Sequence, residues 1–91
     1  MMLRPSDFQS NIEINGVVRR IDPVSREGEF HTEGVTISLD IPLNCIITLR
    51  GERIKLRLIQ PRDRVRVSYT EHQGTRAAGA IDVLPGGPAP P

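Results

Sequence analysis

Tryptophan is absent from this 91-residue chain, and its aromatic residues are only Tyr69, Phe8 and Phe30. A surface that stacks successive nucleobases needs several aromatic faces, so that mode of binding is excluded. The single cysteine, Cys45, cannot form an intramolecular disulfide, and with only two histidines it cannot complete a structural zinc site. No apolar run approaches the roughly 20 residues needed to cross a bilayer as a helix, so no membrane role is expected. Charge of one sign is also lacking. Twelve Lys and Arg against eleven Asp and Glu leave +1, which excludes both a strongly basic nucleic-acid binder and an acidic tail protein. No internal repeat is present. The N-terminus lacks the basic start, long apolar stretch and small-residue cleavage site of a signal peptide, so the cytoplasm is the expected location, with an exported or trimmed precursor left open as the alternative.

What is present is a period of two. Val35, Ile37, Leu39 and Ile41 alternate with Thr36, Ser38 and Asp40, and Val65, Val67 and Tyr69 alternate with Arg64, Arg66 and Ser68. Each pattern predicts a strand with one buried face. Ile12 and Ile14 open an earlier strand, with Val17 and Ile21 in the opposite phase and Gly16 at the phase change, where a bulge is expected. Phe30 and Thr32 predict a short strand, Ile47 and Leu49 another, and Ala77 to Val83 the last. Glu33-Gly34 and Arg50-Gly51-Glu52 mark tight turns. Leu56 to Gln60, ended by Pro61, is the one candidate helical turn. These features predict an all-β domain, a small five- or six-stranded OB-like or SH3-like barrel over residues 12–84. Residues 1–11 read as an N-terminal arm, with Phe8 as a lid over the core. Residues 85–91, with four prolines and two glycines, read as a disordered tail.

Further residues carry a family likeness. Gly16-Val17-Val18-Arg19-Arg20-Ile21-Asp22 is similar to the G-x-V-x-x-I-D opening of small bacterial OB-fold-like domains. The likeness continues through Gly51, Ile54, Leu56, Ile59, Pro61, Asp63, Val65 and Val67, against an L-x-P-G-D-x-V-x-V pattern, and ends in Ala80-Ile81-Asp82-Val83. The chain resembles two groups: bacterial domains of unknown function, and the periplasmic copper and silver chaperones of efflux systems. The second likeness implies a metal site of one His, two strand methionines and a capping Trp, since thioethers suit Cu(I) and an indole face attracts a cation. Here the only methionines are Met1 and Met2, Trp is absent, and His31 stands alone near the ligand-bearing strand. Metal carriage and cofactors are therefore not expected. Arg62 replaces the glycine of the P-G-D turn, so a different backbone is expected there.

Catalysis needs a nucleophile, base or metal within reach of one another. Cys45, His31 and His72 fall on separate predicted elements, so no enzyme is expected. Cys45, in an apolar setting, reads as a small hydrophobe. Asp22-Pro23-Val24-Ser25-Arg26-Glu27-Gly28 resembles the D-x-S-x-x-G signature of PilZ-type cyclic-dinucleotide receptors, but is one residue too long. It reads instead as a turn, started by Asp-Pro, capped by Ser25 and closed by a permissive Gly28.

The remaining signal is a charge asymmetry. Residues 50–66 hold Arg50, Arg53, Lys55, Arg57, Arg62, Arg64 and Arg66 against two acids, a local net of +5, while residues 1–49 carry −3. These seven are the candidate anion-binding residues, and an Arg-rich sheet face binding nucleic acid or another polyanion is one functional reading. The other treats them as solubilising groups, neutralised across the sheet by Glu27, Glu29 and Glu33. It makes the chain a non-enzymatic interaction module, most simply for a protein partner or a second copy, reached through strand edges or a loop face.

Overall fold

The computed structural model describes residues 10–87, and 62% of these residues are strand. The strands are β1 (Ser10–Asp22), β2 (Glu27–Thr32), β3 (Val35–Asp40), β4 (Ile46–Leu49), β5 (Glu52–Arg53), β6 (Arg64–His72) and β7 (Thr75–Val83). A 3-10 turn, Leu56–Leu58, occupies the expected helical position and ends before Pro61. β1 begins at Ser10, so Ser10 and Asn11 belong to the sheet. The remainder of the expected arm, Phe8 included, and the end of the proline-rich tail lie outside the described residues.

The sheet order β3-β2-β1-β6-β7-β4-β5 closes through an additional β3–β7 pairing. Five strands thus form the ring, β1, β2, β3, β7 and β6, and the β4–β5 hairpin is appended to it. This is the OB-like barrel that the alternating pattern predicts. The closing contact is parallel and consists of one register pair, Asp40 with Ala77. Past that point β7 takes β4 as its partner, from Ile46 with Ala80 to Leu49 with Val83. Closure removes most of the exposed edge that a small open sheet would leave for aggregation.

The hairpins use the local chemistry expected of them. Glu33-Gly34, Arg50-Gly51 and Gln73-Gly74 all hold positive φ at both central positions, the geometry that matches the twist of the flanking strands. The Gln60-Pro61-Arg62-Asp63 turn carries a backbone hydrogen bond from Asp63 to Gln60, and Arg62 takes φ 77°. The arginine therefore adopts the left-handed backbone usual for glycine at this position, and the expected change of conformation does not occur.

Two other glycine readings are corrected by packing. The bulge in β1 lies between Val18 and Arg20, not at Gly16. Ile12, Ile14 and Val18 share the inward phase, and the bulge at Arg19 then turns Ile21 inward. Gly16 is needed because β2 crosses close by: a Cβ there would lie 2.7 Å from the His31 carbonyl oxygen. Gly28 sits inside β2 rather than in a turn. Its Cβ would meet the Phe30 ring at 2.9 Å and Ile21 Cδ1 at 3.1 Å.

Phe30 is fully buried, among Val18, Leu39, Ile41, Val65, Val67 and Ile81. Such an enclosed ring has no room to yield. Phe30→Ala should cost about 3–5 kcal/mol by leaving a cavity, a large part of the roughly 5–15 kcal/mol that holds a domain together. Gly28→Ala should cost about 1–3 kcal/mol by overpacking against the same ring. Urea unfolding of both variants checks the order.

Candidate binding surface at one end of the barrel

The β1–β2 turn is built by Asp22. Its Oδ1 accepts hydrogen bonds from the backbone N–H groups of Val24 (3.0 Å) and Ser25 (3.2 Å). The hydrogen bonds from Ser25, backbone first and then side chain, are the main cause holding the Asp22 carboxyl below its ordinary value of 3.8. The turn lifts Val24 into solvent, 94% exposed.

Arg26 joins this turn to the loop after β3. Its backbone takes φ 58°. Its N–H donates to the Asp22 carbonyl and its own carbonyl accepts from Ile41 N–H, both at 2.9 Å. Its guanidinium donates from Nε to the Ile41 carbonyl (2.8 Å) and from Nη2 to the Pro42 carbonyl (3.2 Å). Pro42 also accepts from Cys45 N–H at 2.9 Å, closing a turn that presents Leu43, 83% exposed. Two apolar tips, Val24 and Leu43, are thus carried by loops fastened to each other.

The ground on either side of this ridge differs in charge. One flank is a cleft of about 330 Å³ lined by Arg26, Cys45, Arg53, Lys55, Leu56 and Arg57. No carboxylate lines it. The other flank is a hollow of about 500 Å³ whose lining includes Glu27, Asp40, Ile41 and Ala77. Glu27 and Asp40 are direct cross-strand partners in the β2–β3 register, an unfavourable like-charge pair. Arg26 and Leu43 line both flanks and separate them.

The seven basic residues do not converge on one face. Arg53, Lys55 and Arg57 meet at the cleft, while Arg50 lines a separate groove beside Leu58 and the C-terminal segment. Arg62 lies in the turn before β6. Arg64 and Arg66 are exposed on β6, with Val65 and Val67 buried between them. Arg66 faces Asn15 and Asp82 in register, and Asp82 accepts from Thr48 Oγ1 at 3.0 Å. Of the three acids named as neutralisers, only Glu29 is engaged in ion pairs among the described residues, and those lie elsewhere. Glu29 binds Arg20 at 3.0 Å and approaches Arg19 at 3.9 Å, and Glu27 faces Asp40.

Sequence reasoning missed Arg26, whose carbonyl partners stand fifteen and sixteen residues away with no motif to announce them. Cys45 is buried, and burial raises its thiol pKa against the downward pull of Arg26 and Arg53. His31 is exposed, with Nδ1 3.3 Å from Thr36 Oγ1. Among the described residues no three His, Cys, Asp or Glu side chains come together to hold a metal. The soft donors of a Cu(I) or Ag(I) site are missing from the strands, because the only methionines are Met1 and Met2. The residues present do not fit that ion.

Two measurements follow. Asp22 has a lowered folded pKa, so its contribution to stability is complete above 3.8 and is lost as pH falls through the still lower folded value. An NMR titration should place the Asp22 carboxyl midpoint below 3.8, and Asp22→Ala should speed amide exchange at Val24 and Ser25. Cys45 should react with Ellman's reagent at neutral pH far more slowly in the folded chain than in urea. Equal rates would contradict its burial.

No family model and no curated protein matches the chain. Solved structures do. Apo-CusF residues 6–88 from Escherichia coli aligns with a TM-score of 0.71 and 18% identity, over 91% of this chain and 98% of that one. Silver-bound CusF aligns with a TM-score of 0.67 and 18% identity, over 81% and 97%. CusF–Ag(I) residues 10–88 from Escherichia coli gives 0.68 and 18%, over 82% and 92%. The expectation of a cytoplasmic location is corrected by this likeness. The matched structures are of CusF, a periplasmic protein, so the cytoplasmic expectation does not stand. The chain has the small OB-like barrel fold of the CusF copper and silver chaperones.

Proposed function

We propose that this chain is a non-enzymatic protein-binding module that docks its partner on the Val24–Leu43 ridge and the basic cleft beside it. One observation carries this reading: the Arg26 clamp joins the loops of two exposed apolar side chains, Val24 and Leu43, beside a cleft whose only charged lining groups are cations. Covering a Val or Leu side chain gains about 1.5–3 kcal/mol each. Loops already held in place lose little further freedom on binding. The rim of Arg53, Lys55 and Arg57 selects a partner that offers carboxylates next to apolar side chains.

Silver-bound forms among the structural neighbours show the fold used for binding in those proteins, which supports a binding role over a catalytic one. The metal itself does not transfer, since its donors are not here. Nucleic acid draws little support from the sheet face. Arg66 there is opposed by Asp82, and Glu13 and Glu71 sit in the same β1–β6 ladder.

The test is a pair of ¹⁵N NMR titrations. A pool of short peptides placing Asp or Glu beside Leu or Phe should shift the amides of Arg26, Leu43, Cys45, Arg53 and Arg57. Arg53→Ala with Arg57→Ala should weaken that binding roughly tenfold or more. A short oligothymidine at physiological salt should leave the spectrum unchanged. Shifts centred on Arg64 and Arg66 with the oligonucleotide, and none with the peptides, would overturn the reading.

A further inference from the structure

The loop end is bipolar, and that polarity identifies a partner. Arg53, Lys55 and Arg57 stand on one flank of the ridge, and Glu27 and Asp40 on the other. None of these five has an ion-pair partner among the described residues, whereas Arg20, Arg76, Glu29 and Glu71 all do. The Glu27–Asp40 pair is especially out of place. Two carboxylates directly opposite in an antiparallel ladder repel, and the one cation lining the same hollow, Arg26, spends its guanidinium on the Ile41 and Pro42 carbonyls. Cations from outside the chain would offset the pair.

We infer that the ridge is the contact of a symmetric homodimer, in which the basic flank of one copy meets the acidic flank of the other. The inference rests on the protein-binding reading above and names its partner. A two-fold axis lying along the Val24–Leu43 ridge places each copy's basic cleft over the partner's Glu27 and Asp40. It also brings the two pairs of apolar tips together at the centre. The contact is isologous, so it closes at two copies and does not propagate into fibres. An apolar centre with a charged rim is the usual anatomy of such a contact.

The area required is modest. A stable interface takes up about a tenth of a small protein's surface, and this chain exposes 6421 Å². One end of a barrel supplies that fraction. The chemistry also fits what the cleft selects, because a second copy presents Val24 and Leu43 next to two carboxylates.

Sedimentation velocity over a range of concentrations provides the test. The wild-type chain should form a dimer whose dissociation constant rises with salt, and Leu43→Asp should raise it roughly tenfold or more. Leu43 is exposed, so circular dichroism should show an unchanged fold. The decisive arm uses two charge-reversed chains. Arg53→Glu with Lys55→Glu and Arg57→Glu makes both flanks acidic, and Glu27→Lys with Asp40→Lys makes both basic. Each alone should be monomeric, and a mixture should form a one-to-one heterodimer. A wild-type chain that stays monomeric at the highest concentration would overturn the dimer. So would a dimer indifferent to Leu43→Asp, or charge-reversed chains that do not pair. If the monomeric chain still binds the acidic peptides at the cleft, only the identity of the partner is lost. If it binds none, the protein-binding reading falls as well.

Discussion

Ring closure depends on one backbone pairing, Asp40 with Ala77, and the rest of the architecture is arranged around it. A parallel contact of one residue pair has little strength of its own. Immediately beyond it, Ile41 exchanges hydrogen bonds with Arg26: its N–H goes to the Arg26 carbonyl, and its carbonyl accepts from the guanidinium. The strand that closes the barrel is therefore tied down at its exit by a residue from the β1–β2 turn. The same tie fixes the loop that carries Leu43. Fold closure and the shape of the loop end are consequences of one arginine.

Charge has an organising role that the nearly neutral total conceals. The basic run from Arg50 to Arg66 is broken up by the path of the chain. It passes through a hairpin, a 3-10 turn and a type II turn before entering β6, so its members face different ways. Part of it reassembles with Arg26, which lies in the acidic half of the chain. Proximity in sequence and proximity in space coincide for Arg53, Lys55 and Arg57 at the cleft, and for Arg64 and Arg66 on the outer face of β6. Two of the structural neighbours of this fold carry silver, yet this chain has guanidinium groups and apolar tips, not thioethers, on the strands and loops of its barrel. The scaffold is shared and the side chains set on it are not.

Much of the fold was legible because it is local. Alternation at Val35–Ile41 and Val65–Tyr69 located strands, and Glu33-Gly34 and Arg50-Gly51 located hairpins, because those signals depend on neighbours a few residues apart. Residues whose role depends on distant chain were misread. Gly28 looked like a turn glycine after Asp-Pro, but its requirement comes from the Phe30 ring lying against it. Gly16 looked like a bulge, but what constrains it is the His31 carbonyl on a neighbouring strand. Arg62 looked like a departure from a glycine turn, and the surrounding bonds to Val18 hold it in the glycine conformation regardless. The binding surface was the least legible part. Its two exposed tips come from loops nearly twenty residues apart, and the arginine joining them matches no motif.

β7 is the last strand of the domain in chain order, and it pairs with β6, β3 and β4. Without Thr75–Val83 the earlier strands can form only an open sheet with bare edges on β3 and β6, and the core lacks Ala78, Ile81 and Val83. Non-local pairing of this kind is entropically late. The domain therefore cannot complete its core before β7 is available. Barrel closure and core completion are a single event, set by the last of its strands.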